Sequence, residues 1–497
     1  MFFFRAVLCA LAAVTSTVHA VGVVGRPQGF AKDTTGGGDL APISPTDIDE
    51  LKEWLTDAEP RVILLEKEYN FIGSEGICKD CDCCIPASNT CGSSGQNAID
   101  VINWCKDAPK IKCTYNNVTR IDVASNKTLI GLDDKGVLRG VGLRFSKGAS
   151  NIIVQNVHIT ELNPEYIWGG DALSMTDCDN IWIDHVKISL IGRQMISMGF
   201  EPSVRVTISN TEFDGRTSWS ASCDDHHYWT ILGMGTKDHV SFYGNWIHHT
   251  SGRGPDLGKC GVWHLFNNYW SDVSGHAFSV FPEPSVFVEG NVFESVKYPD
   301  YGTGGTGMFI VNETTAQTCE TTLGRPCMEN QVSYDSGFLT PQTADNTTTL
   351  EIVKKAIDFE LKITSPDKVK DSVMANAGIG KLSSGTPAGD GGNNAYNSGS
   401  ATTAKTTVTS KTTATSKTTA TSKTTATSKT TATSKTASAA AGDSYGTPTS
   451  VPSAKPAAPK GYKNAQTNGP SFSSKSGQPS SLPKTRCASK RRRLRSV

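Results

Sequence analysis

Four short stretches set charged side chains beside glycine or an aromatic ring. "HTSGRGPDL" (His249 to Leu257) holds Arg253 between Gly252 and Gly254, "LIGRQM" places Arg193 after a glycine, "YIWGGDAL" places Asp171 after two, and "CDDHHYW" offers Asp224, Asp225, Tyr228 and Trp229. A guanidinium with no bulky neighbours is a fixed cation that a bound molecule can approach closely, suited to charge that develops during a reaction. It is a poor proton acceptor, because arginine keeps its proton to a pKa above about 12 and has no lone pair. Either burial and nearby positive charge remove that proton, or the group stabilises an anion while hydroxide or another group takes the proton. Alone, an arginine in a Gly-Pro turn reads as a solvated loop residue, and Arg193 with Asp171 as a surface salt bridge. Asp224 and Asp225 are neighbours and would face opposite sides of a strand, so they make a poor acid and base pair for hydrolysis.

The elements that must position these groups are short strands. Between residues 150 and 295 a small pattern recurs: "NIIVQNV", "NIWIDHV", "VRVTISNT", "HVSFYGNW", "VWHLFNNYW" and "SVFVEGNVF". Each alternates apolar and polar residues, as a strand with one buried face does. Anchored on Asn156, His185, Asn210, Asn245, Asn268 and Asn291, the repeats are 29, 25, 35, 23 and 23 residues apart. Strands at that spacing indicate a solenoid. A β-sandwich would need more hairpin turns than the single "FDGR" supplies. The expected fold is all-β, a right-handed single-stranded parallel β-helix, with the Asn residues laddered inside one corner and the charged stretches aligned along one groove. "SPTDIDELKEWL" predicts a helix over 47–55, capped by Ser or Thr, that plugs the N-terminal end of the coil.

The ends of the chain differ from its middle. Arg5, the apolar run that follows and "VHA" ending at Ala20 predict a secretory leader over residues 1–20, and no other run is long enough to cross a bilayer. Beyond Leu382 lies "SKTTAT" four times over, between Ser410 and Thr433, then Pro/Ser/Lys-rich sequence with almost nothing apolar to bury. Residues 21–382 are therefore expected to form the folded domain, and 383–497 a disordered, plausibly O-glycosylated stalk. Seventeen of the 48 Lys and Arg but two of the 48 Asp and Glu lie beyond Leu382, so a net charge of zero hides an acidic domain and a basic tail. The tail is expected either to contact anionic wall polymers or to be a solvated spacer. Export makes the closing "KRRRLRSV" a poor nuclear signal, and neither nucleic acid nor membrane is an expected partner.

In an oxidising compartment thiols pair. Without Cys9 of the leader, thirteen cysteines remain, crowded between Cys78 and Cys113, and an odd count leaves at least one free, Cys178 or Cys487. Cys78 and Cys81 have zinc-like spacing, but no second pair at ligand spacing follows, so disulfides are favoured over metal. Asn117, Asn126, Asn312 and Asn346 begin glycosylation sequons.

Taken in order, "TTGGGD", "WGGDA", "WIDH", "IGRQ", "HYW", "HTSGR" and "NNYW…SGHAF" resemble the pectin lyases of the pectate lyase superfamily, polysaccharide lyase family 1, over about residues 21 to 380. The resemblance implies a secreted, endo-acting enzyme that cleaves methyl-esterified α-1,4-galacturonan. It would remove the C5 proton, α to the C6 carbonyl, and expel O4 to leave an unsaturated sugar. Pectate lyases neutralise a free carboxylate with calcium; a methyl ester is already neutral, so no metal and no cofactor are expected. By the same resemblance Arg253 stands at the position of the family's proposed base and Arg193 beside Asp171 fills the calcium position. Trp104, Trp168, Tyr228 and Trp229 correspond to groove-lining rings, and Gly252 and Gly254 let the polymer approach Arg253. The implied disulfides are Cys91–Cys223, Cys319–Cys327, and Cys105 with Cys84 or its neighbour Cys83. The protein is expected to act as a monomer on pectin.

Two departures stand out. Asp256 occupies a place where the family usually carries Lys or Arg, and "CIPA" puts Ala87 where relatives have tryptophan. Three rival readings remain: a calcium-dependent pectate lyase, a galacturonan hydrolase, and a secreted wall-binding protein without catalysis. Arg193 and the acidic domain oppose the first, because polygalacturonate is a polyanion. The second lacks a carboxyl pair, and the third predicts binding without a new chromophore.

Overall fold

The computed structural model describes residues 22–302, 307–341 and 347–382. The leader, the tail, Asn346 and Cys487 lie outside them. The described chain winds into a right-handed parallel β-helix, the hand expected where parallel strands are joined by crossovers. One sheet stacks nine parallel strands, from Arg61–Leu65 through Lys127–Gly131, Ala149–Gln155, Cys178–Asp184, Arg205–Ser209, His239–Tyr243, Val262–Phe266 and Ser285–Glu289 to Met308–Ile310. A second sheet carries two runs of parallel strands that meet in the long strand Tyr269–Val280. Alternate residues point inward, so Ile152, Ile181, Val206, Val240, Trp263 and Val286 stack into one continuous core. No helix among the described residues is long and apolar enough to cross a membrane.

The repeated Asn, His and Gly residues have a backbone cause. In register, Gln155, Asp184, Ser209, Tyr243, Phe266 and Glu289 pair strand to strand. The next residue on each turn, Asn156, His185, Asn210, Gly244, Asn267 or Gly290, has a positive φ between 45° and 65°. That left-handed bend costs least for Gly and Asn. The residue after the bend then points inward. There Asn245 donates to Asn268 at 2.9 Å, Asn268 to Asn291 at 3.0 Å and Asn291 to Asn330 at 2.9 Å, which offsets the cost of burying each amide. The expected anchors therefore belong to two columns one residue apart. Asn156, His185 and Asn210 make the bend; Asn245, Asn268 and Asn291 make the ladder, and Val157, Val186 and Thr211 occupy the same inward column on the earlier turns.

The plug helix spans Ile48–Thr56 and buries Leu51 and Leu55. Its cap is Asp47, which accepts from the N–H groups of Asp49 and Glu50, rather than a Ser or Thr. A small sheet pairs Ile77–Cys84 antiparallel with Asn97–Ile99 and Lys110–Asn116. Disulfides Cys78–Cys81, Cys83–Cys113 and Cys84–Cys105 pin this loop, Cys91–Cys223 ties its neighbour to the coil, and Cys319–Cys327 closes a late helix. Cys260 is also disulfide-bonded. Cys178 is free and buried, and burial pushes its thiol up to about 12. Asn117 is exposed, while Asn126 and Asn312 are half-buried.

Candidate active site

The site lies where the chain enters four successive strands of the second sheet: Leu173–Met175, Ile196–Met198, Ile231–Gly233 and Asp256–Leu257. Backbone bonds stitch these entries together, Ala172 N–H to Gln194 O and Met195 N–H to Trp229 O at 3.0 Å each, and Ile231 N–H to Arg253 O at 2.5 Å. His227 is buried and donates to the carbonyls of Arg193 and Trp229 at 2.9 and 3.0 Å. Burial holds its ring neutral by pushing its pKa down to about 4. The turns carrying Asp171, Arg193, Trp229 and Arg253 are thus one rigid stack.

Asp171 is its electrostatic centre. The carboxylate accepts from the Gln194 N–H and the Ser197 hydroxyl, each at 3.0 Å, and faces Arg193 Nη1 at 3.4 Å and Arg120 Nη1 at 3.2 Å. Arg120 also donates to Ser174 Oγ at 2.9 Å. The Arg193 guanidinium lies 4.0 Å from the centroid of the Trp168 ring. Its pKa is lowered by burial against the pull of Asp171, with Arg253 and Arg120 adding repulsion.

Arg253 is 9% exposed and packs over Trp229 at 4.8 Å and Tyr228 at 5.6 Å. Its Nε makes no hydrogen bond among the described residues, the Asp256 carboxylate being 3.6 Å away. Asp256 is itself held by the Ser279 hydroxyl, and burial raises its pKa against the opposing effects of Ser279 and Arg253. The Arg253 N–H donates to His276 Nε2 at 3.2 Å, and burial together with Arg253 pushes that imidazole down to about 4. Trp168 and Arg253 both sit on left-handed backbone, φ 71° and 52°, a strain that persists only where the surroundings over-determine it.

The flanking glycines serve packing, which corrects the expectation that they open a path for polymer. A Cβ on Gly252 would come within 2.6 Å of the Tyr228 ring and 2.9 Å of His276, and one on Gly254 within 2.9 Å of the Ala277 carbonyl oxygen. They let the loop press into protein and hold Arg253 against its aromatic bed.

The structure brings Asp171, Arg193, Arg253, Trp168, Tyr228 and Trp229 together. Trp104 joins through an edge contact with Trp168 at 6.3 Å. Asp225 is exposed and Asp224 bonds Ser220 and Ser274, so the two do not act as a pair. Sequence reasoning missed Arg120, whose surroundings "NVTRID" hold neither glycine nor aromatic, and Gln96, which is buried and accepts from the Trp229 indole at 2.9 Å.

The pectate lyase family profile matches residues 98–382. This chain belongs to the pectate lyase family. It is 53% identical over 384 residues to a protein named "Probable pectin lyase F-2" from Aspergillus terreus, across 77% of this chain and 79% of that one. It is 51% identical to "Probable pectin lyase F" from Aspergillus flavus, across 80% of this chain and 92% of that one. A member named "Probable pectin lyase E" from Aspergillus fumigatus is 43% identical across 72% of this chain and 96% of its own. Among solved structures, a pectate lyase II from Xanthomonas campestris aligns with 73% of this chain and all of that one, at 18% identity and a TM-score of 0.48. As a member of the family this chain is a lyase.

Proposed function

We propose that this lyase cleaves methyl-esterified α-1,4-galacturonan within the chain by β-elimination, without a metal, outside the cell. The observation that carries this reading is the surroundings of Asp171. Calcium takes six to eight oxygens. Here the carboxylate is already engaged by a backbone N–H, a hydroxyl and two guanidinium groups. The residues do not fit calcium, and the fixed cations they present suit a neutral ester better than a metal-bridged acid.

Arg193 and Arg120 bind and orient the C6 ester carbonyl. When the C5–H bond breaks, its electron pair forms the enolate and then the C4–C5 double bond, the C4–O4 bond breaks, and O4 leaves to be protonated. Arg253 stabilises the enolate. A guanidinium has no lone pair to offer, so the proton goes to hydroxide rather than to arginine. The aromatic bed of Trp168, Tyr228 and Trp229, with Trp104, packs on the sugar faces. Disulfides pinning the loops and the leader-like first twenty residues support export.

A pH profile of kcat/KM on methylated pectin tests the assignment of the proton. Hydroxide as the acceptor predicts a rate climbing about tenfold per pH unit into the alkaline range. A plateau within that range would assign the proton to Arg253 instead. Viscosity falling well ahead of new chain ends would accompany internal cleavage.

A further inference from the structure

An aromatic path leaves the site on the Arg253 side and is absorbed by nothing above. Trp229 meets Tyr228 with ring centroids 5.0 Å apart, Tyr228 meets His276 at 6.1 Å, His276 stacks on Tyr301 at 5.3 Å, and Tyr301 meets Tyr298 at 6.4 Å. The path runs from half-buried to open: Tyr301 and Tyr298 are 54% and 49% exposed. Strand pairing explains the placement, since His276 pairs with Tyr298 and Ser279 with Tyr301, one coil turn beyond the strand that carries His276. The following segment runs beside the strand that carries both tyrosines. Gly337 N–H bonds the Val296 carbonyl at 2.9 Å, and Leu339 packs on the core while Phe338 projects outward, 78% exposed.

The core does not need these rings outside. Phe293 and Val296, on the same strand as the two tyrosines, already fill its inner face. A run of exposed rings is a binding surface more often than chance decoration, and rings with polar edges suit a partner that is flat, neutral and wet at its rim. The row is continuous, ring by ring, with the bed under Arg253, so whatever lies on that bed is led along it.

We propose that Tyr301, Tyr298 and Phe338 form an outlying binding strip for the galacturonan chain, stacking on sugar faces several residues away from the bond that is cut. This rests on the reading of the site as a galacturonan lyase. The strip gains contact only from a polymer long enough to reach it.

The test compares long methylated pectin with a short methylated oligomer that covers the central site alone. The variants are Tyr298→Ala/Tyr301→Ala, Phe338→Ala, and the double Tyr→Phe exchange. Losing two stacking rings raises KM for the polymer about tenfold with kcat unchanged and leaves the oligomer unaffected, while the Phe pair behaves as wild type. Equal shifts on both substrates, an unchanged polymer KM, or a change confined to self-association in sedimentation would overturn the strip. A second arm uses Arg253→Ala protein in gels cast with methylated pectin. There the added Tyr298→Ala/Tyr301→Ala exchange relieves retardation whether or not the chain is a lyase, and unrelieved retardation refutes the strip independently of the chemistry.

Discussion

Two clusters of buried charge sit on the same coil and are built on opposite principles. On the outer face of the second sheet, Lys187 reaches Glu212 at 2.8 Å and Asp214 at 3.2 Å, His248 reaches Glu212 at 3.3 Å, and the His248 ring stacks on Trp246. The helix Val369–Asn376 packs alongside through Val369 and Val373. Glu212, Asp214 and His248 stand close enough together to suggest a metal, yet Lys187 already supplies the cation. In the groove, three guanidiniums crowd about Asp171 and Asp256. The Arg253 Nε and the Trp168 indole N–H are buried with no hydrogen-bond partner among the described residues. Charge that serves the fold is held in direct hydrogen-bonded pairs and covered; charge that serves a reaction keeps donors unengaged, aimed at a molecule yet to arrive.

The sharpest way to break the contrast is to remove a groove charge and a paired one. Arg253→Ala should lower kcat by about a thousandfold with the melting temperature little changed, as expected when a stabiliser of developing charge is lost. Comparable activity after the exchange would make Arg253 a packing residue.

Asp238 is a buried acid that no cation among the described residues pairs. Among the described residues Asp238 accepts only from the N–H groups of Ser203 and Gly235, and burial pushes its pKa up to about 7. A folded pKa above the unfolded one contributes stability that is full below about 3.8 and lost as pH rises through 7. Asp238→Asn removes that titration, so the variant should gain on wild type by up to about 4 kcal/mol between pH 4 and 8 in urea unfolding. Parallel curves would mean that the acid is solvated.

Lys187→Met should strand Glu212 and Asp214 and cost about 2 kcal/mol of stability, while kcat per folded molecule stays at the wild-type value. A fall in kcat would join the two clusters functionally. Asp256→Asn should have the smallest effect, raising kcat about threefold by leaving the Arg253 charge less compensated. A loss of rate would instead make Asp256 the group that holds Arg253 in place.

The coil was legible because its bends are chemically selective. Asn156, His185 and Asn210 mark left-handed backbone directly, and the alternation around them marks strands. That two columns differ by one residue was not legible, since Asn suits both a bend and a buried ladder. The site was half legible. Arg193, Arg253 and Asp171 announce themselves through glycine and aromatic neighbours. Arg120 reaches Asp171 from 51 residues away, by a contact that only the stacked turns create. The role of Gly252 was misread for the same reason: the Tyr228 and His276 rings that need its missing side chain arrive from other turns. The resemblance left Cys83 and Cys84 as alternatives for Cys105; adjacent on one strand, they go to Cys113 and Cys105 respectively.

The most direct measurement follows ultraviolet absorbance from the unsaturated product on highly methylated pectin and on polygalacturonate, each with chelator and with added calcium. Absorbance that rises on methylated pectin, undiminished by chelator, is the predicted result. A rise confined to polygalacturonate with calcium would contradict it, and would mean that the guanidiniums around Asp171 do not do the work assigned to them.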